Sequence, residues 1–475
     1  MNTANATEVS KTPNWKANDD SAVMNIGTRR ELFVDEHLID HFKKAARLKL
    51  HHPRREEVAI TFNRPWEGNI SLHAAIIAAG NGYRMYYRGR HMEGGPGNTP
   101  TDAVVCLAES DDGLEWRRVN VGLIEHKGST DNNIVWKGEG SSAFTPMLDA
   151  NPDARPEAKY KAIAKTKDER GRRLAVFQSP DGLRWEKMRD VPILTHENVS
   201  PRAFDSQNVA FWDAEREEYR IYFRDWVDNR VRGIKTATSQ NFLDWTEPEW
   251  IEWNPEAPLV HLYTNAVQPY PRAPHLLVGF PTRYHPDRGE MVEPLLMTSR
   301  DGRTFRRWEN ALIRPGRNAD RWFNRSNYVE TGFLLTPSPL PGEERELSIL
   351  TNEGYYRGED TRLRRYSYRL DGFVSLHASA EGGEVITKPF IFEGARLCLN
   401  YSTAVAGHVR VEIQDTDCNP IEGFTLDDMP PVYGDALDQV FSWNGRADIS
   451  KLAGQPIRLR FELKDADVFA FQFTR

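Results

Sequence analysis

The chain has 475 residues, 39% of them hydrophobic and 28% charged, with 62 Lys and Arg against 69 Asp and Glu for a net charge of −7. That length exceeds one ordinary core, so a large repeat domain with a smaller companion is the expected organisation. The charge balance offers no basic excess for nucleic acid, and no apolar run is long enough to cross a membrane as a helix.

Residues 1–28 are polar, rich in Asn, Asp, Thr and Lys, and lack an apolar signal core, which predicts a flexible segment of a cytoplasmic protein, or of an exported one shown without its leader. Regular structure is expected to begin near Glu31, with 36–46 the best helical candidate and 48–51 a further strand. This segment is expected to supply an outer strand to the last repeat and latch a ring shut, which removes exposed sheet edges. The dominant signal follows. S-D-D-G-L-E-W runs from Ser110 to Trp116, S-P-D-G-L-R-W from Ser179 to Trp185, S-Q-N-F-L-D-W from Ser239 to Trp245 and S-R-D-G-R-T-F from Ser299 to Phe305. Near-constant spacing of this kind marks a repeat architecture. Each copy reads as the hairpin between the last two strands of a small sheet. Gly accepts positive φ, Asp bonds the backbone of its own turn, and the closing aromatic is placed over the sheet's outer edge.

Around these hairpins the strands group in fours. The first unit has 71–78, 83–90, 103–110 and a strand opened by Trp116; the second has 143–148, 160–166, 173–178 and 185–188. The third has 207–212, 219–225, 233–238 and a strand from Trp245; the fourth has 266–270, 275–284, 295–298 and a segment around Trp308. The fifth has 327–335, 346–352 and 361–369 and ends in another Asp-Gly turn, Asp371-Gly372. Five such units predict an all-β fold, a five-bladed β-propeller over residues 29–378. Residues 379–475 lose the repeat but keep period-two patterning, as in 408–414 and 457–463, and predict a β-sandwich accessory domain. Cys106, Cys398 and Cys418 have no metal-ligand spacing and are expected as free buried thiols, with a Cys398–Cys418 pair as the alternative.

The second strands of the first three units share a signature, Y-R-M-Y-Y-R from Tyr83, Y-K-A-I-A-K from Tyr160 and Y-R-I-Y-F-R from Tyr219. Each carries a basic residue at its sixth position, Arg88, Lys165 or Arg224, read near the far end of the strand; a solvated surface cation is the competing reading. Inner strands of a propeller converge on its axis, so acids beside them are the candidates for chemistry. Glu67 in W-E-G-N, Asp205 in F-D-S-Q-N and Glu353 in T-N-E-G-Y-Y qualify, each beside aromatic or amide residues rather than in a charge run. Asp149, Asp181 and Asp213 read as turn residues. Two carboxyl groups across a cleft are the minimum for glycoside hydrolysis, one to protonate the leaving oxygen and one to activate water or attack. His73, Arg88, Arg90, Arg202, Gln207, Asp225, His261, Tyr263, Asn265 and Arg283 are candidates to bind hydroxyls or tune those carboxyls, with Trp66, Trp226 and Tyr355 as a stacking floor. No G-x-S-x-G elbow, Walker loop or H-E-x-x-H occurs.

The S-x-D-G-x-x-W hairpins, the Y-R-M-Y-Y-R-G and Y-R-I-Y-F-R-D strands and the trailing sandwich resemble the five-bladed propeller glycosidases of the invertase-like and arabinanase-like superfamily. The resemblance implies three acids on different blades, and by position these are Glu67, Asp205 and Glu353. The invertase W-x-N-D-P-N-G is absent; the comparable place reads N-R-P-W-E-G-N. The expected function is a glycoside hydrolase acting on a plant or algal oligo- or polysaccharide, with no required cofactor and room for a cation on the axis. The expected partner is carbohydrate, with neither nucleic acid nor membrane. A non-catalytic carbohydrate-binding propeller and a glycoside phosphorylase are the alternatives, since the fold hosts many functions.

Overall fold

The computed structural model describes residues 23–94, 97–342 and 345–475, and the rest of the 1–28 segment lies outside them. Among the described residues, five sheets of four or five strands follow one another as blades. The first has Leu72–Ala79, Gly82–Gly89 and Val104–Ser110, with Arg117–Arg118 and Ile134–Lys137 sharing its outer edge. The second has Phe144–Leu148, Tyr160–Asp168, Gly171–Ser179 and Glu186–Lys187; the third has Val209–Asp213, Glu218–Val227, Val231–Ser239 and Glu249–Trp250. The fourth runs Gln268–Tyr270, Ala273–Gly279, Leu296–Ser299 and Thr304–Trp308, with Glu252–Trp253 added in parallel. The fifth runs Leu334–Pro337, Arg345–Glu353 and Arg362–Tyr368, and its outer strand is Arg54–Thr61 from the other end of the chain. The ring is thus latched by an early strand, a few residues after the expected 48–51. A parallel bridge between Ala75 and Thr331 joins first and fifth blades beside the axis.

The S-x-D-G hairpins connect third and fourth strands, and they are what one blade holds of the next. The Tyr86 hydroxyl donates to the Gly182 carbonyl (3.0 Å) and the Arg84 guanidinium to the Asp181 carbonyl (2.5 Å). Tyr222 and Arg220 repeat the grip on the Gly302 carbonyl at 2.5 and 3.1 Å. Gly182 sits at φ 73°, and a Cβ there would strike the Tyr86 hydroxyl. The second blade has Ile163 where its neighbours have that tyrosine, and the third blade's hairpin has Phe242 in place of Gly; both residues pack in one core. Trp185 is 8% exposed and packs edge-on against Tyr86 and Phe144, so the closing aromatic fills the seam between blades rather than capping an outer edge.

Beyond the blades and two two-stranded sheets, the eight-stranded sheet is the sandwich, and both ends of the chain build it. Its order is Ile39–Lys44, Gly383–Thr387, Arg458–Thr474, Val374–Ala378 and Arg47–Leu50, with Glu31–Leu32, Arg396–Gln414 and Asp435–Val440 paired alongside. Three expectations are corrected here. The helical candidate 36–46 contains the strand Ile39–Lys44, whose pairing with Gly383–Thr387 overrides local propensity. Within the segment expected to be flexible, Met24–Gly27 is a strand parallel to Phe390–Phe392. The sandwich takes in Val374–Ala378 ahead of residue 379, together with strands from 31–50. Cys106 and Cys398 are free and buried, and Cys418 is free but exposed. A joint core of Leu32, Val34, Tyr270, Phe280, Phe333, Phe373 and Ala470 welds the sandwich to the fourth and fifth blades.

Candidate active site

Neighbouring strands of a blade run in opposite directions, so the starts of inner strands and the ends of second strands share one face. That face is the axial mouth, and all five blades contribute to it. The basic sixth positions converge there: Arg88 pairs in register with Leu72 at the start of the first inner strand, while Lys165 and Arg224 reach Asp205 at 3.3 and 3.4 Å. Arg172 adds a third contact at 3.3 Å. Asp205 is held by its own backbone: Phe204, at φ 63°, donates its N–H to the Arg224 carbonyl at 2.9 Å. Burial opposes ionisation of Asp205, but the charges of Lys165, Arg224 and Arg172 outweigh it and hold its carboxyl below the usual range.

The opposite environment surrounds Glu330. The register of the first inner strand shifts between Leu72 and Ala75, and His73 in that bulge adopts φ 61°. The kink presents the Ala74 N–H to Glu330 Oε2 at 2.6 Å, while the Ala74 carbonyl accepts from Gln207 Nε2 at 2.8 Å. Glu330 Oε1 has no partner, and burial pushes the carboxyl up to about 8 against the weaker pull of the Ala74 N–H and the Arg88 charge. His73 precedes the Ala74 that bonds Glu330; burial keeps its ring neutral, Arg88, Lys165 and Asp205 act on it electrostatically, and its Nδ1 is unpartnered. The fourth and fifth blades add Tyr263, Tyr284, Tyr328 and Tyr355, packed in one cluster with Leu72.

Of the three acids named from sequence, only Asp205 stands at the mouth with part of its carboxyl exposed (35%). Glu67 is buried and accepts from Tyr87 Oη (2.5 Å), Arg118 Nε and Nη2 (2.9 and 2.8 Å) and the Arg64 N–H (3.0 Å). Glu353 is buried against Arg364 Nε (2.7 Å), Arg362 Nε (3.1 Å) and Arg321 Nε (3.4 Å). No hydrogen bond or ion pair joins any two of the three. Glu67 and Glu353 therefore read as pins of the first and fifth blades, their oxygens already consumed.

The other candidates divide similarly. Arg88 is 9% exposed and donates to the Ile70 carbonyl (2.8 Å), the Ser142 carbonyl (3.1 Å) and Tyr355 Oη (3.0 Å), which places both Arg88 and Tyr355 at the mouth. Arg90 bonds the Thr101 carbonyl at 2.8 Å, and burial with the neighbouring Arg88 charge lowers its pKa. Tyr263 lies under Arg224 at 4.7 Å. Arg202 is exposed and stacks on Trp226 at 4.0 Å. His261 Nδ1 accepts from the Arg232 N–H at 3.2 Å. Asp225 accepts from the Trp226 N–H (2.8 Å) and Asn265 donates to the Tyr222 carbonyl (3.3 Å), both backbone-supporting roles. Arg283 is paired with Glu293 at 2.6 Å in a side hairpin, and Trp66 donates to Asn133 at 2.8 Å beside His126 within the first blade. Glu330 was not singled out by the sequence, although it lies in the 327–335 segment read as the fifth inner strand. Arg232, Arg325 and Glu290 carry no repeat signature. Among the described residues, no three His, Cys, Asp or Glu side chains gather as a metal-binding group.

No family model and no curated protein matches the sequence. Solved structures are similar to it over about two thirds of its length. One structure described as a glycoside hydrolase is 15% identical, covering 66% of this chain and 92% of its own, with a TM-score of 0.46. An N-acetylgalactosamine deacetylase from F. plautii, in complex with blood group B trisaccharide, is 14% identical over 69% and 95% with a TM-score of 0.44. A thermostable family-43 glycoside hydrolase is 12% identical over 66% and 95% with a TM-score of 0.43.

Proposed function

We propose that this protein is a carbohydrate-active enzyme that hydrolyses glycosidic bonds at the axial mouth, with Glu330 as general acid and Asp205 as the ionised partner. What carries this reading is the contrast in the two carboxyls' surroundings. Glu330 is buried, bonded through one oxygen to the Ala74 N–H and unpartnered at the other, and burial pushes it up to about 8. Asp205 instead faces Lys165, Arg172 and Arg224, whose charges hold it below the usual range. Separated pKa values are the requirement for acid and base roles in glycoside hydrolysis. Glu330 would donate its proton to the leaving oxygen while Asp205 activates water or attacks the anomeric carbon. The neutral His73 ring and the Gln207 amide orient hydroxyls. The tyrosine cluster gives flat apolar faces to the sugar.

The test is reducing-sugar release from a panel of oligo- and polysaccharides, with and without inorganic phosphate. Phosphate-independent release by the wild type, lost in Glu330→Gln and in Asp205→Asn while both variants stay folded by circular dichroism, supports the reading. Undiminished release in both variants overturns it.

A further inference from the structure

Beside the two acids, three guanidinium groups crowd around a single ring. The carbons of Arg224, Arg232 and Arg325 lie 4.7, 5.2 and 5.9 Å from the centroid of Tyr263. Arg232 also lies over Tyr284 at 4.2 Å and Trp226 at 4.5 Å. Little negative charge offsets them. Arg224 shares Asp205 with Lys165 and Arg172. Arg325 meets only the half-exposed Glu290 at 3.4 Å. Arg232 has no carboxylate within ion-pair distance among the described residues, and burial together with the Arg224 charge lowers its pKa.

The donors are also unspent. The Arg224 side chain is 2% exposed, yet its Nε and Nη1 have no partner. Arg232 Nε, Arg325 Nε and the buried Tyr328 hydroxyl are likewise unpaired. Buried charged donors without acceptors are costly, and a fixed fork of N–H groups matches a carboxylate, sulfate or phosphate. Arg224 ties one side of the cluster to Asp205 at 3.4 Å, while Arg325 points to Glu290 and Arg232 pairs with neither acid. An anion seated among them lies against Tyr263, and equilibrium binding separates a sugar-borne anion from free phosphate.

We propose that Arg224, Arg232 and Arg325 form a subsite for an oxyanion carried on the sugar, a sulfate ester or a uronate carboxylate, seated against Tyr263. This narrows the substrate class and rests on the axial mouth being a sugar site. Equilibrium binding to the full chain tests it, using a sulfated galactan oligosaccharide and its desulfated counterpart, an oligogalacturonate and its methyl ester, and inorganic sulfate and phosphate alone. The expected result is at least tenfold tighter binding of one acidic sugar than of its neutral counterpart, weakening with salt. Arg232→Gln, and independently Arg325→Gln, should remove most of that preference and leave neutral-sugar binding unchanged. Equal binding of acidic and neutral forms, unchanged preference in both variants, or inorganic anions competing as strongly as the acidic sugar would overturn it. Acidic-sugar binding without turnover leaves this inference standing and removes hydrolysis; turnover with no acidic preference does the reverse.

Discussion

On the hairpin face, Ser110, Ser179 and Ser299 each accept the N–H of the Gly three residues on, at 2.8, 2.9 and 2.9 Å. Asp112, Asp181 and Asp301 each accept two further N–H groups. At the axial mouth, His73 Nδ1, Arg88 Nε, Arg224 Nε and Nη1, Tyr328 Oη and Glu330 Oε1 have no partner. His73, Phe204, Ala266 and Asn327 hold positive φ at or just ahead of the inner strands of four different blades. The Ser-x-Asp-Gly turns close their own hydrogen bonds, although Trp116 Nε1, Arg220 Nε and Asp213 Oδ1 beside them lack hydrogen-bond partners and Phe242 holds φ 67°; the mouth differs in gathering its unpaired groups around two acids. Unmade bonds and strain are tolerated where a ligand completes them.

The sharpest way to test this contrast is to exchange acids across it. Glu330→Gln and Asp205→Asn should each lower kcat by roughly a hundred- to ten-thousandfold in protein that is still folded by circular dichroism at the assay temperature. Glu353→Gln and Glu67→Gln should do the converse. Glu353→Gln leaves the buried Arg321 and the part-buried Arg362 and Arg364 without that counter-charge, and Glu67→Gln the part-buried Arg118. A broken buried pair costs up to about 3–5 kcal/mol. Urea unfolding should register that loss, with kcat retained in whatever fraction stays folded. A Glu353→Gln protein as stable as wild type but inactive would reverse the assignment.

Why sequence distinguished the faces unequally follows from the range of the interactions. A hairpin is local: Ser, Asp and Gly lie within four residues and make their bonds to one another, so S-x-D-G discloses its own geometry. The sixth-position cations were legible because they repeat in register with the strands, although only the structure shows that two of them, Lys165 and Arg224, face one carboxylate. Glu67 and Glu353 satisfied the rule that axial acids lie near inner strands, but what disarms Glu67 is Arg118, fifty-one positions on. Glu330 sits just ahead of the Leu334–Pro337 strand, in a segment that reads as apolar strand, and its partner is a backbone N–H presented by a bulge at His73. The latch shows the same limit: Arg47–Leu50 and Arg54–Thr61 both read as strands, but one pairs with Val374–Ala378 and the other with Arg362–Tyr368.

Titration gives a smaller effect with a definite sign. Glu330 holds its proton in the folded chain up to about 8 but releases it from about 4.5 when unfolded. Between those values the folded state binds the extra proton, so this group's contribution to stability falls as pH rises. The amide introduced by Glu330→Gln carries no such proton. The melting temperature of that variant should therefore gain on the wild type from pH 5 to pH 8, and wild-type kcat/KM should decline above about pH 8 as the acid form is lost. A constant difference in melting temperature across that range would mean that Glu330 titrates as an ordinary carboxyl and is no general acid.

The smallest expected effect belongs to the closed face. Ser179→Ala removes one acceptor from the Gly182 N–H and one donor to Asp181. Asp181 still accepts from the N–H groups of Leu183 and Arg184, at 2.8 and 2.9 Å, so the turn keeps its shape. The two lost hydrogen bonds cost about 1 kcal/mol each. The loss should appear in the denaturation midpoint and not in turnover, because the hairpin touches the neighbouring blade through Tyr86 rather than the axis. A fall in kcat at normal stability would show instead that the hairpin sets the mouth's geometry through the seam of Tyr86 and Trp185, and the two faces would then be coupled rather than separate.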